Sequence, residues 1–135
     1  MSETDFRRND VSKRFENFDR KEHVDSFHLI SRDSGLEFLF ELDDIDFILD
    51  SVFIDKQKLK LFNLNELLGL PISFSSSRVD IRKILGNPIF ESQLGERTML
   101  GDVSPWDKCK FGDCFIHFEY EFDSASINII TLSIG

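Results

Sequence analysis

The 135-residue chain carries 25 Asp and Glu against 16 Lys and Arg, a net charge of −9, with 41% hydrophobic and 30% charged residues. That length is one ordinary domain, and the composition is globular rather than disordered. The acidic balance repels phosphate and argues against a nucleic-acid partner, and it disfavours an anionic membrane surface.

Residues 1–21 mix charges with Phe6, Phe15 and Phe18, a spacing that fits a short helical turn or a frayed N-terminus. Met1 to Asp10 is polar, no apolar run nears the roughly 20 residues of a membrane helix, and two cysteines make no disulfide framework. The expectation is a cytoplasmic protein. Val24 to Arg32 and Leu36 to Leu42 read as strands joined by Asp33-Ser34-Gly35, with Gly35 available for positive φ. In the second run Leu36, Phe38, Phe40 and Leu42 alternate with Glu37, Leu39 and Glu41, giving one apolar and one mostly acidic face. Asp43-Asp44 reads as a turn and Phe47 to Ile54 as a third strand of an antiparallel meander.

Leu61 to Leu70 fits a short helix or a loop. Ser75 to Ser77 supplies N-cap hydroxyls, and Ser77 with Asp80 makes a near capping box. Val79, Ile81, Ile84 and Leu85 form an apolar stripe that Gly86 and Pro88 terminate. Gly101 to Gly112 reads as a loop around Pro105 and Trp106. Cys114 to Phe122 and Ile127 to Ile134 read as strands around the turn Asp123 to Ser126. The strand–turn–strand layout of residues 35–54 recurs in residues 112–134, as two sub-units of one sheet or as a duplication. The predicted fold is α+β: an antiparallel sheet built from two hairpin units, with one or two short helices packed on one face.

Charge is concentrated. Residues 35–55 hold Glu37, Glu41, Asp43, Asp44, Asp46, Asp50 and Asp55 and no base, a stretch able to steer a cationic partner. Fifteen phenylalanines against one Tyr and one Trp read mainly as core. Groups with catalytic or ligating chemistry are sparse. His23 and His28, spaced His-x4-His with Asp25 close by, would need a third ligand from elsewhere, and Cys109 and Cys114 form a single C-x4-C pair near His117 where zinc sites show two clusters. Gly95, Gly101 and Gly112 match no phosphate-cradling loop. No metal or cofactor is expected, and Trp106 reads as a core plug or an interface anchor.

The run Ile72 to Pro88 resembles a motif of the SmpA/OmlA (BamE)-type outer-membrane assembly lipoproteins and of beta-lactamase-inhibitor-like domains. In both, a polar cap precedes a short helix with spaced aliphatics ending Leu-Gly-x-Pro. Ser75 to Ser77, Val79, Ile81, Leu85, Gly86 and Pro88 match it, while the lipobox cysteine of the lipoproteins is missing. Residues 35–135 also resemble small proteins of bacterial toxin–immunity loci, including contact-dependent growth inhibition systems. The matching runs are Gly35 to Phe40, Leu68 to Pro71, Leu85 to Pro88, Pro105 to Asp107 and Ile130 to Leu132.

That resemblance implies a non-enzymatic binding protein that neutralises the C-terminal domain of a cognate toxin. A nuclease toxin must hold phosphate in a basic cleft, which an acidic face can occupy. The candidate partner-binding residues are Glu37, Glu41, Asp43, Asp44 and Asp46, with Trp106, Glu119 and Glu121 as a second patch. The alternatives are a small ligand-binding protein or enzyme, needing a pocket with His117, Glu119 or Asp107, and a structural assembly domain of the SmpA/OmlA type.

Overall fold

A computed structural model of the chain describes residues 18–92, 96–98 and 101–134. Eight strands make one antiparallel sheet: β1 (Phe18–Glu22), β2 (Ser26–Ser31), β3 (Glu37–Asp43), β4 (Asp46–Asp55), β5 (Phe90–Glu91), β8 (Trp106–Phe111), β9 (Cys114–Tyr120) and β10 (Ile127–Ser133). Their spatial order is β1-β2-β3-β4-β10-β9-β8-β5, and β6 (Glu96–Thr98) pairs separately with β7 (Gly101–Val103). Among the described residues the helices are α1 (Leu64–Leu68) and α2 (Arg78–Leu85). The described chain is therefore mostly β.

Alternation decides which face each strand buries. Phe27 and Leu29 of β2 lie opposite Phe40 and Phe38 of β3. Ile54 lies opposite Ile130, which lies opposite Phe118. These side chains are at most 5% exposed, and Leu64, Ile72 and Ile81 from the helical segment cover them. Each such burial contributes about 1.5–3 kcal/mol before the entropy of ordering is subtracted. Phe27, Phe38, Phe40 and Phe118 are core, and Phe18, Phe47, Phe62, Phe74 and Phe111 pack against them. Phe6 and Phe15 lie outside the described residues.

Caps fix the helices. The Ser77 hydroxyl accepts from the Asp80 amide at 3.2 Å, and the Asp80 carboxylate accepts from the Ser77 amide at 3.0 Å, a complete capping box. The Arg78 amide donates to the Ser124 carbonyl at 3.1 Å, which ties the start of α2 to the β9–β10 turn. The Asn63 side chain caps α1 by accepting from the Glu66 amide at 3.1 Å. In the β2–β3 turn Gly35 has φ 77°, and a Cβ there would lie 1.9 Å from the Lys58 carbonyl oxygen. Only glycine lets that turn close against the segment after β4.

Three expectations from sequence need revision. Phe18 to Lys21 is neither a frayed segment nor a helical turn: it belongs to β1, in register with β2. Residues 1–17, the rest of that prediction, lie outside the described residues. Val24 does not open a strand but sits in the β1–β2 turn, where the His23 amide donates to the Ser26 carbonyl. The Gly101 to Gly112 loop contains β8, which pairs with β9 along its whole length. Its period-2 pattern is hidden because one inward position is Asp107, a charge that reads as exposed.

The β3–β4 and β9–β10 hairpins that echo each other in sequence are neighbours, joined by the β4–β10 pairing. Among the described residues no helix is long and apolar enough to cross a membrane.

Candidate partner-binding site

The acid-rich stretch folds as the β3–β4 hairpin, and three of its seven acids, Asp43, Asp44 and Asp46, stand at its turn. Asp43 and Asp46 are direct cross-strand partners. Like charges facing each other weaken a hairpin, so this pair brings the fold a cost. Asp44 adopts φ 55° at the first turn position, a conformation Asp tolerates better than most residues. Next to it, Ile45 is 92% exposed. A β-branched apolar side chain at a turn apex with no packing partner does nothing for the core.

The β1–β2 turn lies alongside. The Leu42 amide donates to the Asp25 carbonyl at 2.8 Å, and Val24 in this turn is 93% exposed. This end of the sheet thus presents two fully exposed aliphatic side chains among exposed Glu22, Asp25, Glu41, Asp43, Asp44 and Asp46. Sequence reasoning missed Val24, Ile45, Glu22 and Asp25, because their neighbourhood depends on register between two hairpins. Ile45, an aliphatic at the turn of the acid run, was the available signal; Val24 lies outside that run.

Glu37 does not join that cluster. It begins β3, roughly 20 Å along the strand from Asp43 at about 3.3 Å per residue. There it is half-buried opposite Phe53, with its carboxylate 3.6 Å from His28 Nδ1. Trp106 and Glu119, by contrast, are direct cross-strand partners. They lie on the sheet face opposite the helices, so Trp106 is no core plug. Its ring stacks on His117 with centroids 5.1 Å apart. Burial, aided by the charge of neighbouring Lys108, holds His117 below its ordinary pKa of 6.5, against a weaker pull from Asp107. Glu121 lies near the end of that strand, 3.9 Å from the Lys56 ammonium.

The densest polar cluster is elsewhere. Asp107 is fully buried on the helix-facing side of β8. Its Oδ1 accepts from Arg78 Nε at 3.2 Å, Arg78 Nη2 at 2.9 Å and Arg82 Nη2 at 2.8 Å. Its Oδ2 accepts from Arg82 Nε at 3.1 Å and the Tyr120 hydroxyl at 3.0 Å. Arg78 also reaches the Ser92 carbonyl, and Arg82 the Glu91 carboxylate. Burial alone would raise the Asp107 pKa, but the bonds from Arg82, Arg78 and Tyr120 outweigh it and keep the group below the usual carboxylate range. Burial, with the Asp107 charge second, drives the Tyr120 hydroxyl far above its ordinary value. Arg78 and Arg82 are one turn apart on α2, so this cluster clamps the helix to the sheet. Both carboxylate oxygens of Asp107 are used in the clamp, which fits a structural role rather than proton transfer.

The remaining groups with reactive chemistry stand apart. Burial, with the nearby Asp107 charge, pushes the Cys109 thiol up to about 11, which makes it a poor nucleophile. Cys114 is half-buried opposite Phe111, and both thiols are free. His23 and His28 meet edge to face at 5.7 Å, and among the described residues no three His, Cys, Asp or Glu side chains group as metal ligands. The chain matches no protein-family model, no curated protein and no solved structure.

Proposed function

We propose that this chain is an immunity protein: a cytoplasmic binding module that neutralises the C-terminal domain of a cognate bacterial toxin by placing its acidic end in a basic cleft. The observation that carries this reading is the end of the sheet formed by the β1–β2 and β3–β4 turns. There Ile45 and Val24 stand 92% and 93% exposed among six carboxylates. Exposed aliphatics within a mostly acidic rim, where Arg20 pairs with Glu22 at 2.8 Å, fit a protein interface with an apolar centre and a charged rim. The net charge of −9 suits rapid association with a cationic surface.

The sequence resemblance supplies the partner class. Nucleases hold phosphate in cationic clefts, so they offer the complementary charge. We read the sheet as two hairpin-based units, β2-β3-β4 and β10-β9-β8, meeting at β4 and β10, in an α+β layout with both helices on one face. The acidic end then belongs to the first unit and the Trp106–Glu119 patch to the second.

The test is co-expression with the C-terminal domain of the product encoded immediately upstream. A stable complex and restored growth support immunity. A neighbour that is neither toxic nor bound removes the reading.

A further inference from the structure

The helices pack on one face of the sheet, and among the described residues no helix covers the other. One row of side chains crosses that open face at right angles to the strands, since cross-strand partners share a face. Glu37 lies opposite Phe53, Phe53 opposite Thr131, Thr131 opposite His117 and His117 opposite Lys108. Ile30 extends the row on the β2 side and Phe90 on the β5 side. A β-bulge brings Phe53 into it. Leu39 pairs with Ser51 but Phe40 pairs with Leu49, so the alternation of β4 shifts at Asp50, and Leu49 packs on the core while Phe53 looks outward. Phe53, Thr131 and His117 are half-buried, and Phe90 is 60% exposed. The two charges of the row stand on opposite sides of its centre. Glu37 has the His28 imidazole at 3.6 Å, while Lys108 Nζ lies 4.8 Å from the centre of the Phe115 ring, with no carboxylate at ion-pairing distance among the described residues. Four strand spacings, roughly 19 Å, separate Glu37 from Lys108 within one chain.

We infer that this face pairs with the same face of a second copy of the chain, about a twofold axis running along β10. The row then meets its own reversal. Glu37 faces Lys108 of the second copy, Phe53 faces His117, Thr131 faces Thr131, and Ile30 faces Phe90. One patch is used twice, as a twofold contact requires. Aligned sheets pack face to face about 10 Å apart, a gap that a Glu and a Lys side chain span together. In the next row the small Ser51 leaves room for Phe115 of the second copy. Seven strands and three rows give roughly 700 Å² of flat area, to which side-chain relief adds, close to the roughly 800 Å² that each partner gives to a standard interface. Against association stand the charge of −9 on each copy and the row of Asp55, Ile129 and Glu119, which sets Asp55 against Glu119 of the second copy. The expected dimer is therefore weak, with a dissociation constant on the order of 10–100 μM. Charge selects a second copy as the occupant, because this face carries opposite signs in mirrored places. A basic partner matches the acidic turn instead, which lies about 20 Å along β3 from Glu37 and stays outside the contact.

Sedimentation equilibrium of the full chain from about 5 to 500 μM should show the average mass rising from monomer towards dimer. Over the same range, NMR amide shifts should move at Phe53, Thr131, His117 and Lys108 and stay fixed in α2 and at Asp44. These shifts in the unaltered chain decide the matter even where a variant fails to fold. Glu37→Lys and Lys108→Glu, each alone, set like charges against each other at two symmetric contacts and should weaken the dimer at least about tenfold. An equimolar mixture of the two variants should restore association, because each contact then joins opposite charges. The two positions are too far apart within one chain for that rescue to arise there. Glu119→Gln should tighten the dimer several-fold. A chain that stays monomeric over the whole range, association that both charge variants keep, or a mixture of folded variants that stays monomeric would overturn the inference. So would shifts at these amides that appear only when the upstream-encoded domain is added, which would make the face a contact for that domain.

Discussion

Replacing Asp107 with Asn tests the clamp between α2 and the sheet. The substitution keeps the shape and removes the charge. One carboxylate oxygen becomes an amide donor facing N–H groups that already donate, since each oxygen of Asp107 accepts from at least two groups. The Arg78 side chain, 10% exposed, loses its nearest counter-charge and keeps the Glu91 carboxylate at 3.9 Å. Breaking a buried pair this way costs about 3–5 kcal/mol. Arg82 is 34% exposed and recovers part of its loss through solvent and Glu91, so about 3–4 kcal/mol is expected. That is a large share of the roughly 5–15 kcal/mol that holds a domain together. Urea unfolding followed by Trp106 fluorescence reads it directly, because this single tryptophan adjoins the substituted position. With a slope near 2 kcal/mol per molar, the midpoint should fall by about 2 M.

The pH dependence gives a second readout. The Asp107 pKa is lower in the fold than in the unfolded chain, so the unfolded state binds the proton first on acidification. Its stabilisation is fully present above the unfolded value of about 3.9 and is lost as pH falls towards and through the folded value. Asp107→Asn should flatten that part of the acid limb. A loss below about 1 kcal/mol with an unchanged acid limb would refute the clamp as a stabilising device.

Three further outcomes follow from the geometry. Gly35→Ala places a Cβ 1.9 Å from the Lys58 carbonyl oxygen at φ 77°, and should cost about 2–4 kcal/mol by urea unfolding, with strain and backbone displacement combined. The His117 imidazole should titrate by NMR with its midpoint below 6.5, and Lys108→Ala should move that midpoint upward. The unfolded state then takes up the proton first, so this group's contribution to stability is complete above about pH 6.5 and declines as pH falls below it. Alkylation of the native protein at pH 8 should modify Cys114 and spare Cys109, whose thiol is buried and titrates near 11; both react once the chain unfolds.

The strands with clean alternation were legible in sequence. Phe38 and Phe40 against Glu37 and Glu41 set β3 and its faces, and Ser77 with Asp80 set the start of α2 within one residue. The elements that escaped have charged residues where the pattern wants apolar ones. β1 reads Phe-Asp-Arg-Lys-Glu, an edge strand whose charges guard against unwanted pairing. β8 hides Asp107 at an inward position, which makes sense only once Arg78 and Arg82 are brought across the sheet. Sequence also located the acid run but not its shape. Register moved Glu37 to the far end of the strand and brought the β1–β2 turn beside Asp43. The bulge at Asp50 has no signature in the local residues.

The central claim is that the acidic end makes the contact with a basic partner. Its most direct test is the affinity of the upstream-encoded domain for the chain carrying Asp43→Lys, Asp44→Lys and Asp46→Lys, measured at low and high salt. All three side chains are exposed, and Lys at the φ 55° position of Asp44 adds only a modest strain, so the fold should persist and circular dichroism should be unchanged. Binding of the parent chain should weaken steeply with salt. The variant should lose affinity by at least about a hundredfold at low salt, through slower association above all, and should lose most of its salt dependence. Equal affinity and equal salt dependence for the two chains would place the contact elsewhere on the sheet and contradict the account.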